Sequence, residues 1–142
     1  MFRTKSEEET IAVGEELARR LPSGAVVVLT GKLGAGKTTL AKGIAKGLGV
    51  AEADEVSSPT FTLIHEHGDP VRMYHVDLYR LDEPRQVATL GLEEIFEREA
   101  VVLIEWGERI PELLPERRVE IHITRLKSEE REIEVANLAT DA

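Results

Sequence analysis

The segment GKLGAGKTT, residues 31–39, contains the residues with the clearest chemical meaning. It fits the pattern G-x-x-x-x-G-K-[ST], in which glycines allow backbone N–H groups to curl around phosphate oxygens. In this pattern Lys37 reaches the outer phosphates, where it is also a candidate catalytic residue, and the hydroxyl of Thr38 binds Mg²⁺. The alternative is a glycine-rich turn that contains a lysine by coincidence. The predicted nucleoside triphosphate site comprises Gly31, Leu33, Gly34, Ala35, Gly36, Lys37, Thr38 and Thr39.

Two acidic residues follow apolar runs, where a phosphate-binding enzyme needs metal ligands. Glu105 comes directly after VVLI, as expected of the acid that holds the Mg²⁺ shell from a neighbouring strand. Asp77 ends the run MYHVD and is suited to orient water or to join the metal shell. The predicted metal ligands are therefore Thr38, Glu105 and Asp77, and no metal other than Mg²⁺ is expected.

The strand pairing around Asp77 adds a candidate. If residues 60–66 and 71–77 form a hairpin that turns at residues 68–69, Thr60 faces Asp77 and Thr62 faces His75. That register predicts a polar strand face aimed at the phosphates, with Thr60 and Asp77 as catalytic residues. An ordinary solvated strand face is the alternative.

The histidines and the tryptophan have less specific signals. His65 and His67 share a strand face, but the same register places His75 on the opposite face, and the chain contains no cysteine. A structural zinc site is therefore disfavoured. Trp106 is either a core residue or a contact surface near the nucleotide, and its position next to Glu105 does not separate these interpretations.

The elements that must position the phosphate loop are predicted from apolar spacing. Residues 6–21 have helical spacing, with Ser6 as N-cap and Glu9 as its capping-box partner. Residues 25–30, AVVVLT, form the unbroken run of a central strand that is covered on both faces. A helix over residues 39–48 follows, stopped by Gly49, and its positive end would begin at Lys37.

The remainder of the chain predicts further strands. The hairpin at residues 60–77 has the character of antiparallel edge strands, and residues 81–99 are weakly helical, broken near Gly91. Residues 101–104 are a buried parallel strand, and residues 118–126 and 131–137 form a C-terminal hairpin before a frayed tail. The predicted fold is α/β: a P-loop NTPase-type, three-layer fold with a mostly parallel central sheet, flanking helices and antiparallel hairpins.

Length and composition set limits on the class of protein. With 142 residues, one domain over residues 1–142 is expected, and the lack of cysteine favours a reducing compartment, the cytoplasm. There is no apolar leader and no run long enough to span a membrane, so a soluble protein is expected. The net charge of -9 disfavours broad adhesion to nucleic acid, so any RNA is expected to be held by a partner. The acidity is equally explained by solubility alone.

Four segments together resemble one family. GKLGAGKTT at 31–39, SPTFT at 58–62, HVDLYR at 75–80 and VLIEW at 102–106 are similar to segments of the bacterial TsaE (YjeE) ATPase family. The resemblance runs over nearly the whole chain. It implies a cytoplasmic ATPase that uses ATP and Mg²⁺ and works with TsaD and TsaB. Their product would be the threonylcarbamoyl modification of adenosine in tRNAs that read codons beginning with A, with tRNA contacted through the complex.

The resemblance also implies residue roles. Thr38 and Glu105 would be metal ligands, Asp77 an essential active-site acid, and SPTFT a switch-like loop near the γ-phosphate. Trp106 would lie close to the nucleotide, with the segment around Thr10 and the C-terminal hairpin, through Arg131, touching its base or sugar. One residue departs from the family: Lys32 stands where the loop usually has aspartate. Its side chain is expected to point away from the phosphates and to affect partner contact or hydrolysis rate.

Three classes of function fit these residues. The first is an accessory ATPase whose nucleotide cycle drives a partner complex. The second is a small-molecule P-loop kinase, which is weakened by the lack of a clear basic lid over the phosphates. The third is a nucleotide-stabilised binding module without meaningful turnover.

Overall fold

The described strands form one seven-stranded sheet in the order β1-β7-β6-β2-β5-β4-β3. The structure, a computed structural model, describes residues 1–22, 24–32, 36–50, 64–68, 72–77, 92–106, 114–127 and 129–137. The strands are β1 (Phe2–Thr4), β2 (Val26–Thr30), β3 (Ile64–His67), β4 (Met73–Asp77), β5 (Val101–Glu105), β6 (Val119–Lys127) and β7 (Glu130–Ala136). The described helices are α1 (Glu7–Arg20), α2 (Lys37–Leu48) and α3 (Leu92–Phe96).

The middle of the sheet is parallel and its edges are antiparallel. Strand β2 pairs in parallel with β5 on one side and with β6 on the other, and β5 pairs in parallel with β4. Strands β3, β7 and β1 add antiparallel pairs at the edges. The predicted central strand is confirmed, since β2 has a strand on each side. Its run VVVLT has no apolar–polar alternation, as expected of a strand that is covered on both faces.

Alternate residues of the strands pack on opposite faces of the sheet. Leu29 and Leu103 face the layer of α1 and α2, whereas Val102 and Ile104 face the layer that contains Ile95 of α3. The sheet therefore separates two apolar clusters. This arrangement confirms the predicted three-layer α/β fold.

Three glycines bring α1 and α2 into close contact. A Cβ atom at Gly43 would lie 2.1 Å from the carbonyl oxygen of Ile11, and one at Gly14 would lie 2.6 Å from the carbonyl oxygen of Leu40. A Cβ atom at Gly47 would lie 2.7 Å from the carbonyl oxygen of Glu15. Backbone therefore meets backbone, which holds the first turns of the two helices near each other.

The ends of α1 and α2 follow the predicted local signals. The Ser6 hydroxyl accepts a hydrogen bond from the Glu9 N–H at 3.1 Å, while the Glu9 carboxylate accepts from the N–H of Lys5 at 2.9 Å, not from that of Ser6. Helix α2 stops at Gly49, whose φ of 73° is left-handed. None of the helices in the described ranges has the length and apolar character needed to cross a bilayer.

The hairpin of β3 and β4 is confirmed, and β3 lies at the edge of the described sheet as predicted. The predicted register and the predicted edge position of β4 are wrong. His65, not Thr62, lies opposite His75, so the register differs by three residues. The connection is wider than a two-residue turn: it runs from Gly68 to Arg72, whose N–H donates to the carbonyl of His67 at 3.0 Å. An odd shift exchanges the faces of β3, so His65 and His75 share a face. Strand β4 is also interior, with all five residues buried between β3 and β5.

Two further differences concern short elements. Strand β1 was not predicted; it has three residues and pairs antiparallel with β7, with Thr4 opposite Arg131. Within the predicted weak helix, the structure has α3 at Leu92–Phe96, and residues 78–91 lie outside the described ranges. The C-terminal hairpin is confirmed as β6 and β7.

Candidate nucleotide site

Strands β2, β4 and β5 are parallel, and their C-terminal ends form one edge of the sheet, near the start of α2. Strands β4 and β5 place Asp77 directly beside Glu105, and β2 ends at Thr30 on the other side of β5. Helix α2 starts at Lys37, so its first backbone N–H groups and the positive end of its dipole lie near this edge. A helix start of this kind is suited to bind an anion such as phosphate.

Gly36 precedes α2 in a backbone conformation that favours glycine. Its φ is 107°, and a Cβ atom there would lie 3.2 Å from Nε of Arg131 and 3.3 Å from Cδ1 of Ile123. A side chain at this position would therefore meet both an unfavourable φ and the C-terminal hairpin. The same distances show that the Arg131 side chain lies over the start of α2.

The Lys37 side chain is buried against Trp106. Only 5% of Lys37 is exposed, and its Nζ atom lies 3.9 Å from the centroid of the Trp106 ring. This distance is within the range of cation–π attraction. Trp106 is half-buried, packs against the apolar cluster on the α3 side, and has a left-handed φ of 64°. It is thus a core residue that also contacts Lys37, and its contact with a nucleotide stays a prediction.

The two acids are nearly buried and share a face with a histidine. Asp77 is 9% exposed and Glu105 is 3% exposed, on the side of the sheet that α2 covers. His75, which has no exposed surface, lies 2.5 Å from Glu105, Nε2 to Oε2. On the neighbouring strand, burial lowers the pKa of His65 below its ordinary value, and the nearby His75 lowers it further.

A cavity of about 230 Å³ lies next to the start of α2. Its walls come from the first turns of α1 and α2 and from the turn between β6 and β7. The lining residues are Glu7, Thr10, Gly36, Thr39, Glu129 and Arg131. The fold thus places Thr10 and Arg131 around one space beside the start of α2.

Strand β1 supports the Thr10 wall of this cavity. Thr10 is 2% exposed, and its hydroxyl lies 2.7 Å from that of Thr4 and donates to the carbonyl of Ser6 at 3.2 Å. Because the hydroxyl proton of Thr10 is donated to Ser6, the hydroxyl oxygen can act toward a ligand only as a hydrogen-bond acceptor. The predicted contact of Thr10 with a nucleotide stays a prediction.

Residues 4–133 match the family model described as threonylcarbamoyl adenosine biosynthesis protein TsaE. The chain belongs to the TsaE family. The tRNA threonylcarbamoyladenosine biosynthesis protein TsaE of Bacillus subtilis is 45% identical over 133 residues, which cover 93% of this chain and 82% of that protein. The TsaE of Treponema pallidum is 42% identical over 133 residues, which cover 94% of this chain and 97% of that protein.

A solved structure in the same family has the same fold. The crystal structure of Bacillus subtilis YdiB superposes with a TM-score of 0.74 at 42% identity, covering 93% of this chain and 80% of that one. The resemblance drawn from the four sequence segments is therefore confirmed at the level of the family.

The predicted site residues of this TsaE-family chain fall into two groups. Those within the described ranges lie at the sheet edge or around the cavity; Thr38 and Thr39 are half-buried in the first turn of α2, and Gly31 follows β2. Leu33, Gly34, Ala35 and Thr60 lie outside the described residues, so the pairing of Thr60 with Asp77 stays a prediction.

Several contacts in the site of this TsaE-family chain have no signal in the sequence. The bond between His75 and Glu105 joins two strands, and the predicted register did not address it. Glu7 and Glu129 line the cavity, but as isolated charges they are indistinguishable in the sequence from solvated surface residues. They meet Arg131 around one cavity only in the tertiary fold, where β1, directly before α1, pairs with β7.

Proposed function

We propose that this chain is a Mg²⁺-dependent ATPase of the cytoplasm that works with TsaB and TsaD in the threonylcarbamoyladenosine modification of tRNAs that read codons beginning with A. One observation carries the ATPase part: the glycine-preceded start of α2 lies at the edge where β4 and β5 end in the paired acids Asp77 and Glu105. Family membership supports the tRNA-modification part.

The donor set at this edge suits Mg²⁺. Two carboxylates and the Thr38 hydroxyl are oxygen ligands of the type that Mg²⁺ prefers. Asp77 and Glu105 are register partners on adjacent strands and nearly buried, so a nearby cation would offset the repulsion between them. We assign Thr38 and Glu105 as ligands, with Asp77 joining the shell. When bound, the ion neutralises charge on the phosphates during transfer.

The residues of the chain would divide the reaction between them. Lys37 and the first N–H groups of α2 bind the outer phosphate oxygens. Asp77 orients a water toward the γ-phosphorus and accepts its proton as the new P–O bond forms and the bond to ADP breaks. Because Asp77 and Glu105 are nearly buried, bulk water is largely excluded from both carboxylates.

The cavity beside Gly36 suits the nucleoside end of ATP. Glu7 and Glu129 place two carboxylates around it, which would repel a triphosphate but can accept hydrogen bonds from ribose hydroxyls or the adenine amino group. Arg131 can donate to the sugar or base from its position over Gly36. The phosphates then extend from this cavity to the start of α2.

The charge of the chain supports indirect contact with tRNA. A net charge of -9 does not favour binding to a polyanion, so the TsaB–TsaD pair would hold the RNA. Lys32 is exposed, as expected for a side chain that contacts a partner rather than the phosphates.

The test is release of phosphate from Mg-ATP by the chain alone and with TsaB and TsaD added. We expect slow release alone and a different rate with the partners, because a phosphate loop supplies binding more than transition-state stabilisation. ATP should also tighten binding to the pair relative to ADP. No release under either condition would favour a binding module, and a phosphorylated small molecule would favour a kinase.

A further inference from the structure

His75 occupies a buried position that packing alone does not explain. It has no exposed surface and lies in an interior strand, where its neighbours Met73, Tyr74 and Val76 are apolar or aromatic. An imidazole at such a site must have its polar atoms satisfied, or it costs free energy that an aliphatic side chain would not. The polar partner that the structure provides is the carboxylate of Glu105.

The chemistry of this bond sets its direction. An ionised carboxylate can only accept, so the proton of the bond lies on Nε2 of His75 and the ring donates to Oε2 of Glu105. The other ring nitrogen, Nδ1, is buried without a hydrogen-bond partner among the described residues. Without a proton, Nδ1 has an unsatisfied lone pair; with a proton, it would be an unsatisfied buried donor. Nε2 is therefore the ring nitrogen that bonds Glu105.

This bond holds one oxygen of Glu105 and orients the other. With Oε2 bonded to the ring, rotation of the carboxyl group is restricted and Oε1 becomes the oxygen for the metal shell. A carboxylate that rotates freely loses conformational entropy when it binds Mg²⁺. A carboxylate already held by a hydrogen bond loses less, so it binds the metal more tightly.

We propose that His75 is a positioning residue that orients the Glu105 carboxylate for Mg²⁺ in the nucleotide complex. The proposal rests on the proposed function, because it takes Glu105 as a metal ligand. His75 itself contacts neither the metal nor the phosphates; it acts through Glu105. The role predicts a change in Mg²⁺ dependence rather than in the affinity for ATP itself.

The experiment measures ATP binding by calorimetry at increasing free Mg²⁺, and again with the metal removed by chelation. Replacement of the partner of an oriented ligand typically weakens metal binding 10- to 100-fold. We expect His75→Leu to raise the Mg²⁺ midpoint about 10-fold and to leave metal-free ATP affinity unchanged. His65→Gln, on the adjacent strand opposite His75, is the matched control and should keep the wild-type midpoint.

Two further variants separate positioning from folding. The amide nitrogen of His75→Gln can reach the place of Nε2, whereas that of His75→Asn reaches only the place of Nδ1. We expect the Gln variant to keep nearly the wild-type midpoint and the Asn variant to resemble Leu. This comparison also carries the test if His75→Leu fails to fold by circular dichroism.

A double variant shows whether His75 acts through Glu105. If it does, adding His75→Leu to Glu105→Gln should not raise the midpoint further. The proposal is overturned if His75→Leu keeps the wild-type midpoint, if Gln and Asn behave alike, or if the two effects multiply. ATP binding by the wild-type chain that does not depend on Mg²⁺ would be a different result, one that refutes the metal site of the proposed function and this proposal with it.

Discussion

Replacement of Gly43 by alanine tests the contact between α1 and α2. The added Cβ atom would lie 2.1 Å from the carbonyl oxygen of Ile11 and 3.0 Å from Cα of Gly14. Both are backbone atoms, so no side chain can move aside and the helices must separate by roughly 1 Å. Overpacking of this kind costs about 1 to 3 kcal/mol, or more where backbone must shift. The backbone shift places this cost at the upper end of that range, about 2 to 3 kcal/mol. Alanine regains about 1 kcal/mol of helix propensity, so we expect a net loss of about 1 to 2 kcal/mol.

The assay is thermal and urea unfolding of the wild-type chain and of Gly43→Ala. For a chain of this size each kcal/mol corresponds to about 3 °C, so the melting temperature should fall by about 3 to 6 °C. Lys42→Ala, one position earlier in α2, controls for the alanine itself and should change stability by only a few tenths of a kcal/mol. Unchanged or increased stability of Gly43→Ala would refute the reasoning, because it would mean that the helices lie further apart than the structure has them.

Three other predictions concern the site and its surroundings. Lys37→Ala should weaken ATP binding by about 1.5 to 3 kcal/mol, the range for a charged hydrogen bond; unchanged affinity by calorimetry would contradict the phosphate-loop assignment. Glu105→Ala should raise the Mg²⁺ concentration needed for turnover, whereas Asp77→Ala should lower turnover with ATP still bound, so identical Mg²⁺ titrations would remove the distinction. Because the pKa of His65 is lowered by folding, the unfolded chain binds that proton more readily, and stability should fall as the pH drops below the ordinary value of 6.5. Urea midpoints across that range should decline less in His65→Gln, and an equal decline would exclude this residue as the cause.

Elements with local signals were predicted well. The cap at Ser6, the stop at Gly49 and the apolar run of β2 depend on residues within a few positions of one another. Their predicted boundaries agree with the structure to within one or two residues. The proposed phosphate-binding segment depends on local residues in the same sense, since it lies directly between β2 and α2.

Pairing between strands was predicted less well. The sequence indicated a hairpin before Asp77, but its register depended on the backbone of the turn, and a connection wider by a few residues exchanged the faces of β3. Strand β4 looked like an edge strand because it alternates between apolar and polar residues. The polar residues His75 and Asp77 are instead buried, since β5 pairs beside them and supplies Glu105.

The sequence by itself determined the family resemblance and which residues are predicted to bind phosphate and metal, because glycine, lysine, threonine and acidic residues are recognisable by type and spacing alone. Only the tertiary structure decided what surrounds them. His75 meets Glu105 across 30 positions of chain, and Arg131 lies over Gly36 because β7 pairs with β1 and β6. The physical reason is that periodicity specifies the face on which a side chain lies, whereas its neighbours across the sheet depend on which strands pair and in which register.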